Sequence, residues 1–131
     1  MEVISYLQVR QIIENGWKTK GGKTMKVYFT LTGTKHYFGD KFLEPGMKVQ
    51  LEKEPDNEYD KEAIKVEMPG LETIGYVANS PYTVVGESFS AGRLYDKMGD
   101  IARGTVLYVL PKGVLCVLEI EDVITGESLD R

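Results

Sequence analysis

Histidine and cysteine are almost missing from this chain of 131 residues, which holds one of each, His36 and Cys116. A lone cysteine forbids an internal disulfide. Set in the apolar run GVLCVLEI, it reads as a buried, reduced thiol in a core strand, which fits a cytoplasmic setting. The same scarcity rules out a structural zinc site built from nitrogen and sulfur ligands of this chain. No apolar run reaches the roughly 18 residues that a membrane helix needs. The opening MEVISYLQVRQ lacks a basic stretch followed by an apolar block, so no secretory leader and no membrane partner are expected. A complete phosphate-binding loop of the nucleotide hydrolases is absent too.

Positive charge is also short. Sixteen Lys and Arg face twenty Asp and Glu, for a net charge of −4. Proteins that grip long duplexes through many phosphates carry a basic surface. Any nucleic-acid contact here must therefore be local: a short segment, an end, or one basic face. Three clusters offer such a face: Lys18, Lys20, Lys23 and Lys26; Lys35 with His36; and Arg93, Lys97 and Arg103. For any one cluster the plainer reading is favoured, that its side chains merely solvate turns.

What the chain does have is alternation. Met25–Thr32, Met47–Glu52, Ala63–Glu67, Thr73–Ala78, Gly104–Leu110 and Val114–Ile120 read as six strands. Gly33 ends or bulges the first, Glu44-Pro45-Gly46 is a turn, and Pro111-Lys112-Gly113 predicts a hairpin between the last two. Between the fourth and fifth strands the pattern changes. Ser80-Pro81 reads as a helix start, and Ser90–Met98 as a second helix capped by Ser90 and stopped near Gly99. Residues 2–15 read as a helix, or as a strand through 5–13, followed by the basic turn KTKGGKT. The expectation is one domain: an N-terminal extension over 1–24, a barrel over 25–122 and a polar tail over 123–131. The class is mainly β with short helices, a small OB-like six-stranded barrel with a helical insertion before the last two strands.

Catalysis finds little support. Gly86-Glu-Ser88-Phe-Ser90 only partly mimics a nucleophile elbow, and a base would have to be recruited from His36 on another loop. DNEYDKEAIKVE lacks the central glycine of a calcium loop. No cofactor or metal is expected, and a binding module outranks a hydrolase using Ser88 or Ser90.

The most specific stretch is EPDNEYDKEAIKV, residues 54–66, where an acidic turn carrying Tyr59 beside Asp60 breaks into a strand. A stacking ring next to a hydrogen-bond acceptor suits a ligand site. The bland alternatives are that Asp56 and Asn57 cap the turn, that Asp60 binds backbone amides and that Tyr59 packs on the core. Together with the glycine and basic-aromatic run Gly33, Lys35-His36-Tyr37, the Pro45-Gly46 turn and the later Ile74-Gly75-Tyr76-Val77, this block resembles the HIRAN domain.

That resemblance implies an OB-like barrel of the kind found fused to SWI/SNF-family DNA translocases and as short bacterial proteins. It implies a non-enzymatic module that binds single-stranded DNA at a free 3′-hydroxyl end, in repair or replication, with a helicase or repair protein as a further partner. By the same resemblance, His36, Tyr37 and Tyr59 would stack on the terminal base and Asp60 would accept from the terminal hydroxyl. Lys35 and Lys61 would meet phosphates, and Asn57 would belong to the same nucleic-acid-binding set, a role that can coexist with capping the turn. Three positions depart from the family's DNA binders: Lys35 stands for Arg, His36 for Tyr and Glu58 for Pro. The competing expectation is a protein-interaction scaffold that keeps the barrel, prompted by the acidic balance and by Tyr82, Tyr95 and Tyr108.

Overall fold

Along the first strand, β1 (Thr24–Thr32), Val27, Phe29 and Leu31 join the main core at every second position, as the alternation requires, while Tyr28 and Thr30 between them are also buried. The computed structural model describes residues 24–121. The expected elements over 2–15, the basic turn and the polar tail lie outside the described residues. After β1 come β2 (Lys48–Lys53), β3 (Ile64–Glu67), β4 (Thr73–Val77), a short helix α1 (Ala91–Tyr95), β5 (Ile101–Val109) and β6 (Val114–Glu121). The six strands close into an antiparallel barrel in the order β1-β4-β3-β2-β5-β6. This is the mainly β, six-stranded barrel with a helical insertion expected from the sequence. Closure leaves no edge strand open to pairing.

The interior is filled by the inward set of each strand: Val27, Phe29 and Leu31 from β1, Val49 and Leu51 from β2, Ile64 and Val66 from β3, Ile74 and Val77 from β4, Val106 from β5, and Cys116 and Leu118 from β6. Fully burying a Leu, Ile or Phe contributes about 1.5–3 kcal/mol. Cys116 faces Phe29 across β6 and β1, and burial pushes its thiol pKa well up, so it stays protonated and unreactive.

The segment between β4 and β5 is stitched to the barrel rather than hung from it. Ala78 N–H donates to Thr30, Phe89 N–H to Tyr28 and Ala91 N–H to Ala78. Phe89, Ala91, Leu94 and Met98 join the core, so the insertion stoppers part of it. The helix is shorter than the Ser90–Met98 reading, but Ser90 does cap it, its hydroxyl accepting from the Arg93 amide. The Ser80-Pro81 helix does not form. Thr83 and Val84 amides return to the Ser80 carbonyl in a single turn. The next amide, Val85, donates instead to the Thr30 hydroxyl of β1, and Gly86 turns away with φ of 57°. A tertiary hydrogen bond thus takes the donor that would have continued the helix.

Gly75 sits where β4 crosses closest to β1. A Cβ there would lie 2.6 Å from Leu31 Cδ1 and 2.6 Å from the Thr32 carbonyl oxygen. The second contact is backbone and cannot swing away. Gly75→Ala is therefore expected to lower stability by about 1–3 kcal/mol, read as a reduced midpoint in chemical denaturation.

Candidate functional site

β1 overlaps the antiparallel β4 only at its last residues, Leu31↔Val77 and Thr32↔Tyr76, and on the other side of β4 the same Tyr76 pairs with Lys65 of β3, just after the loop of residues 54–63; the turn after β1 and that loop therefore flank Tyr76. Gly33, with φ of 76°, takes the left-handed conformation that only glycine adopts without strain, and ends β1. A 3₁₀ turn, Thr34–His36, follows at once. It leaves Lys35 and His36 exposed and turns Tyr37 back toward β4, where its ring lies 6.3 Å from that of Tyr76, tilted by 43°.

The 54–63 loop is held by Asn57. Its Oδ1 accepts from the amides of Tyr59 (2.9 Å) and Asp60 (3.0 Å), and its Nδ2 donates to Glu54 Oε1 (3.0 Å). The ends of the loop are tied by the Glu54 amide to the Ala63 carbonyl and the Ala63 amide to the Asp60 carbonyl. This is the turn-capping role, and it leaves Tyr59 thrown outward, 92% exposed. Tyr59 does not pack on the core.

Asp60 is doubly held. Its Oδ1 accepts from the Glu62 amide and its Oδ2 from Asn79 Nδ2, both at 2.9 Å. Asn79 in turn accepts from the Gly92 amide in α1 at 2.8 Å, so the carboxylate is fixed against the helical insertion. An ionised carboxylate has about four acceptor directions; two are used, which leaves capacity for a ligand donor. Lys61, next in line, is exposed.

Glu54 and Tyr76 join the two halves of the site. Glu54 Oε1 accepts the Tyr76 hydroxyl at 2.8 Å as well as Asn57. Burial first, then the hydrogen bond to Glu54, drive the Tyr76 pKa far up, so its phenol remains a donor. The path Tyr37–Tyr76–Glu54–Asn57 therefore connects Lys35-His36-Tyr37 with Asn57-Tyr59-Asp60. Glu54, Tyr76, Asn79 and Gly92 were not among the expected site residues, because their partners are 22, 19 and 13 positions away in sequence.

Asn57→Ala removes two acceptor bonds and one donor bond from the loop. At about 0.5–1.5 kcal/mol per hydrogen bond, partly replaced by water, a loss of about 1–2 kcal/mol is expected. Faster hydrogen exchange at the Tyr59 and Asp60 amides would locate it.

Other candidates resolve differently. Ser88 is buried, its hydroxyl donating to the Val85 carbonyl (2.7 Å) and bonded to Thr30 Oγ1 (2.9 Å), with no base beside it. Among the described residues, no group of three or more His, Cys, Asp or Glu is placed to hold a metal ion. Of the basic clusters, Lys18, Lys20 and Lys23 lie outside the described residues. Arg93 lies over the Phe89 ring at 4.0 Å, whereas Arg103 belongs to a different face, with Lys26 and Lys48. A depression of about 380 Å³ lined by Asn79, Ser90 and Arg93 among others adjoins the Asp60 side of the site.

The sequence matches the family model of the HIRAN domain over residues 25–112. The chain belongs to the HIRAN domain family. A crystal structure of a Lactobacillus plantarum protein resembles it at 24% identity with a TM-score of 0.51, over 76% of this chain and 98% of that one. The HIRAN domain of human HLTF matches at 21% identity and a TM-score of 0.49, over 78% of this chain and 80% of that one. No curated protein matches the chain. The Lactobacillus likeness is one of fold; the matched span of the family model covers both loops of the candidate site, from Lys35 to Lys61.

Proposed function

We propose that this HIRAN domain is a non-enzymatic module that binds single-stranded DNA at a free 3′-hydroxyl end, serving repair or replication. The observation that carries the reading is the pairing of an unpacked aromatic ring, Tyr59, with a rigidly held carboxylate, Asp60, on one loop beside Lys35-His36-Tyr37. An exposed ring on a loop held by backbone hydrogen bonds keeps its face open to a stacking partner. Base stacking is sequence-tolerant because every base presents a π-face. A carboxylate repels phosphate and accepts from a hydroxyl, so it favours the end of a strand over its interior. Lys35 and Lys61 are the cations nearest in sequence for the penultimate phosphates. His36 and Tyr37 supply rings from the opposite loop.

A linear strand should therefore compete for the protein far better than a covalently closed single-stranded circle of the same composition. Anisotropy of a labelled short strand, displaced by either competitor, measures this. Equal competition by the circle would exclude end recognition.

A protein-binding role is the second reading, favoured by Tyr82, which is 86% exposed on the 80–84 turn, while Tyr95 and Tyr108 are half-buried. It predicts that Tyr82→Ala abolishes capture of a protein partner without changing strand binding, whereas the end-binding reading predicts Tyr59, not Tyr82, as the decisive ring.

A further inference from the structure

A second charged surface lies away from the loops. The outer face of β2, β5, β6 and β1 forms a groove of about 760 Å³. Its position follows from alternation: Lys48 and Gln50 flank buried Val49, Arg103 and Thr105 flank Gly104, and Lys26 precedes buried Val27. The registers Lys48↔Thr105, Gln50↔Arg103 and Lys26↔Glu119 place them in adjacent rows. Three exposed cations, Lys26, Lys48 and Arg103, thus share a face with one lining carboxylate, Glu119. The next acid along the row, Glu67, is opposite Gln50 and already engaged by Lys65 at 3.2 Å. Among the described residues no ion pair takes up Lys26, Lys48 or Arg103. Lys48 donates one of its three N–H groups to Thr105 Oγ1.

The spacing says what this face takes. From β2 to β1 is three strand intervals, about 14 Å, too wide for one phosphate group and suited to a row of them. In a chain of net charge −4, such a concentration of positive charge runs against the average. The 3₁₀ turn Thr34–His36 begins one residue beyond Gly33, and Gly33 is seven strand residues from Lys26, about 23 Å along β1. We infer that this groove binds the backbone phosphates of the same DNA strand whose end the loops hold, at a distance of several nucleotides from that end. The inference rests on the end-binding reading for its ligand, but uses different residues. The acidic loops select the end; the groove lengthens the footprint and supplies the salt-sensitive part of the affinity.

The test compares the full chain with the Lys26→Ala/Lys48→Ala/Arg103→Ala variant, using a dinucleotide and a 16-nucleotide strand, both with free 3′-hydroxyls. Three phosphate contacts on a single strand steepen the log–log salt dependence by about 2, so that between 50 and 200 mM salt they account for roughly a 20-fold change. The wild type should bind the long strand more tightly and with this steeper slope. The variant should lose the added affinity and slope while binding the dinucleotide as wild type does. A Lys26→Arg/Lys48→Arg/Arg103→Lys variant, which keeps the charges, should retain both. Identical length and salt dependence in wild type and the alanine variant would overturn the groove while leaving end binding intact. Equal binding of the 3′-hydroxyl dinucleotide and its 3′-phosphorylated form by both proteins, with the long-strand loss still seen in the variant, would overturn end reading and leave the groove standing.

Discussion

Asp60→Asn is expected to erase the preference for a 3′-hydroxyl over a 3′-phosphate, weakening hydroxyl-ended strands roughly 10- to 150-fold. That range is the value of a hydrogen bond to a charged group, about 1.5–3 kcal/mol. Phosphate-ended strands should bind better than they do to wild type, because a negative charge has left the site. The substitution also disturbs the scaffold. With the remaining oxygen turned to the Glu62 amide, the new amide nitrogen faces the Nδ2 of Asn79, two donors where a donor met an acceptor. The reciprocal variant Asp60→Asn/Asn79→Asp separates the two effects. It restores the hydrogen bond between the positions and keeps an acceptor for the Gly92 amide, but moves the charge. If Asp60 acts through its own charge, selectivity stays lost in the double variant; rescue would reduce Asp60 to a positioning residue.

Tyr59→Ala is the second large effect. Loss of one base-stacking ring costs about 1–3 kcal/mol, or roughly 5- to 150-fold in affinity. The loss should be nearly the same for strands ending in any base. Stability should not follow, since a side chain exposed to this degree lies in the range where substitutions move stability by less than about 0.5 kcal/mol. Tyr59→Phe should bind like wild type, because among the described residues the Tyr59 hydroxyl makes no hydrogen bond. Titration of each variant against labelled strands, with a denaturation curve alongside, distinguishes a ligand-contacting ring from one that merely supports the loop. A Tyr59→Ala protein of wild-type affinity would remove stacking from the account.

The parts legible in sequence are those governed by local rules. Alternation set β1, β2 and β6 to within a residue or two, Pro111-Lys112-Gly113 marked a hairpin now closed by reciprocal Leu110 and Gly113 backbone bonds, and Ser90 marked a helix cap. The failures have non-local causes. β5 begins at Ile101, three residues before the expected start, because Ile101 and Ala102 pair with Glu52 and Leu51 on β2. Nothing in Ile-Ala-Arg-Gly announces that pairing. The missing helix after Ser80 was lost when the Val85 amide bonded to Thr30, 55 residues from Val85. In the site, Asn57 as a turn cap was readable from Asn57 and its neighbours alone. The clamp on Asp60 was not, since Asn79 reaches it across the barrel end, and neither was the Tyr76–Glu54 bond that ties the two loops. The cationic groove is the extreme case: its three charges come from β1, β2 and β5, and only closure of the barrel assembles them.

The most direct measurement is the affinity of the wild-type chain for one short single strand prepared with a 3′-hydroxyl and with a 3′-phosphate, at matched salt. End recognition through Asp60 predicts at least tenfold tighter binding of the hydroxyl form, consistent with one charge-assisted hydrogen bond gained and one repulsion avoided. Equal affinities for the two ends would contradict it.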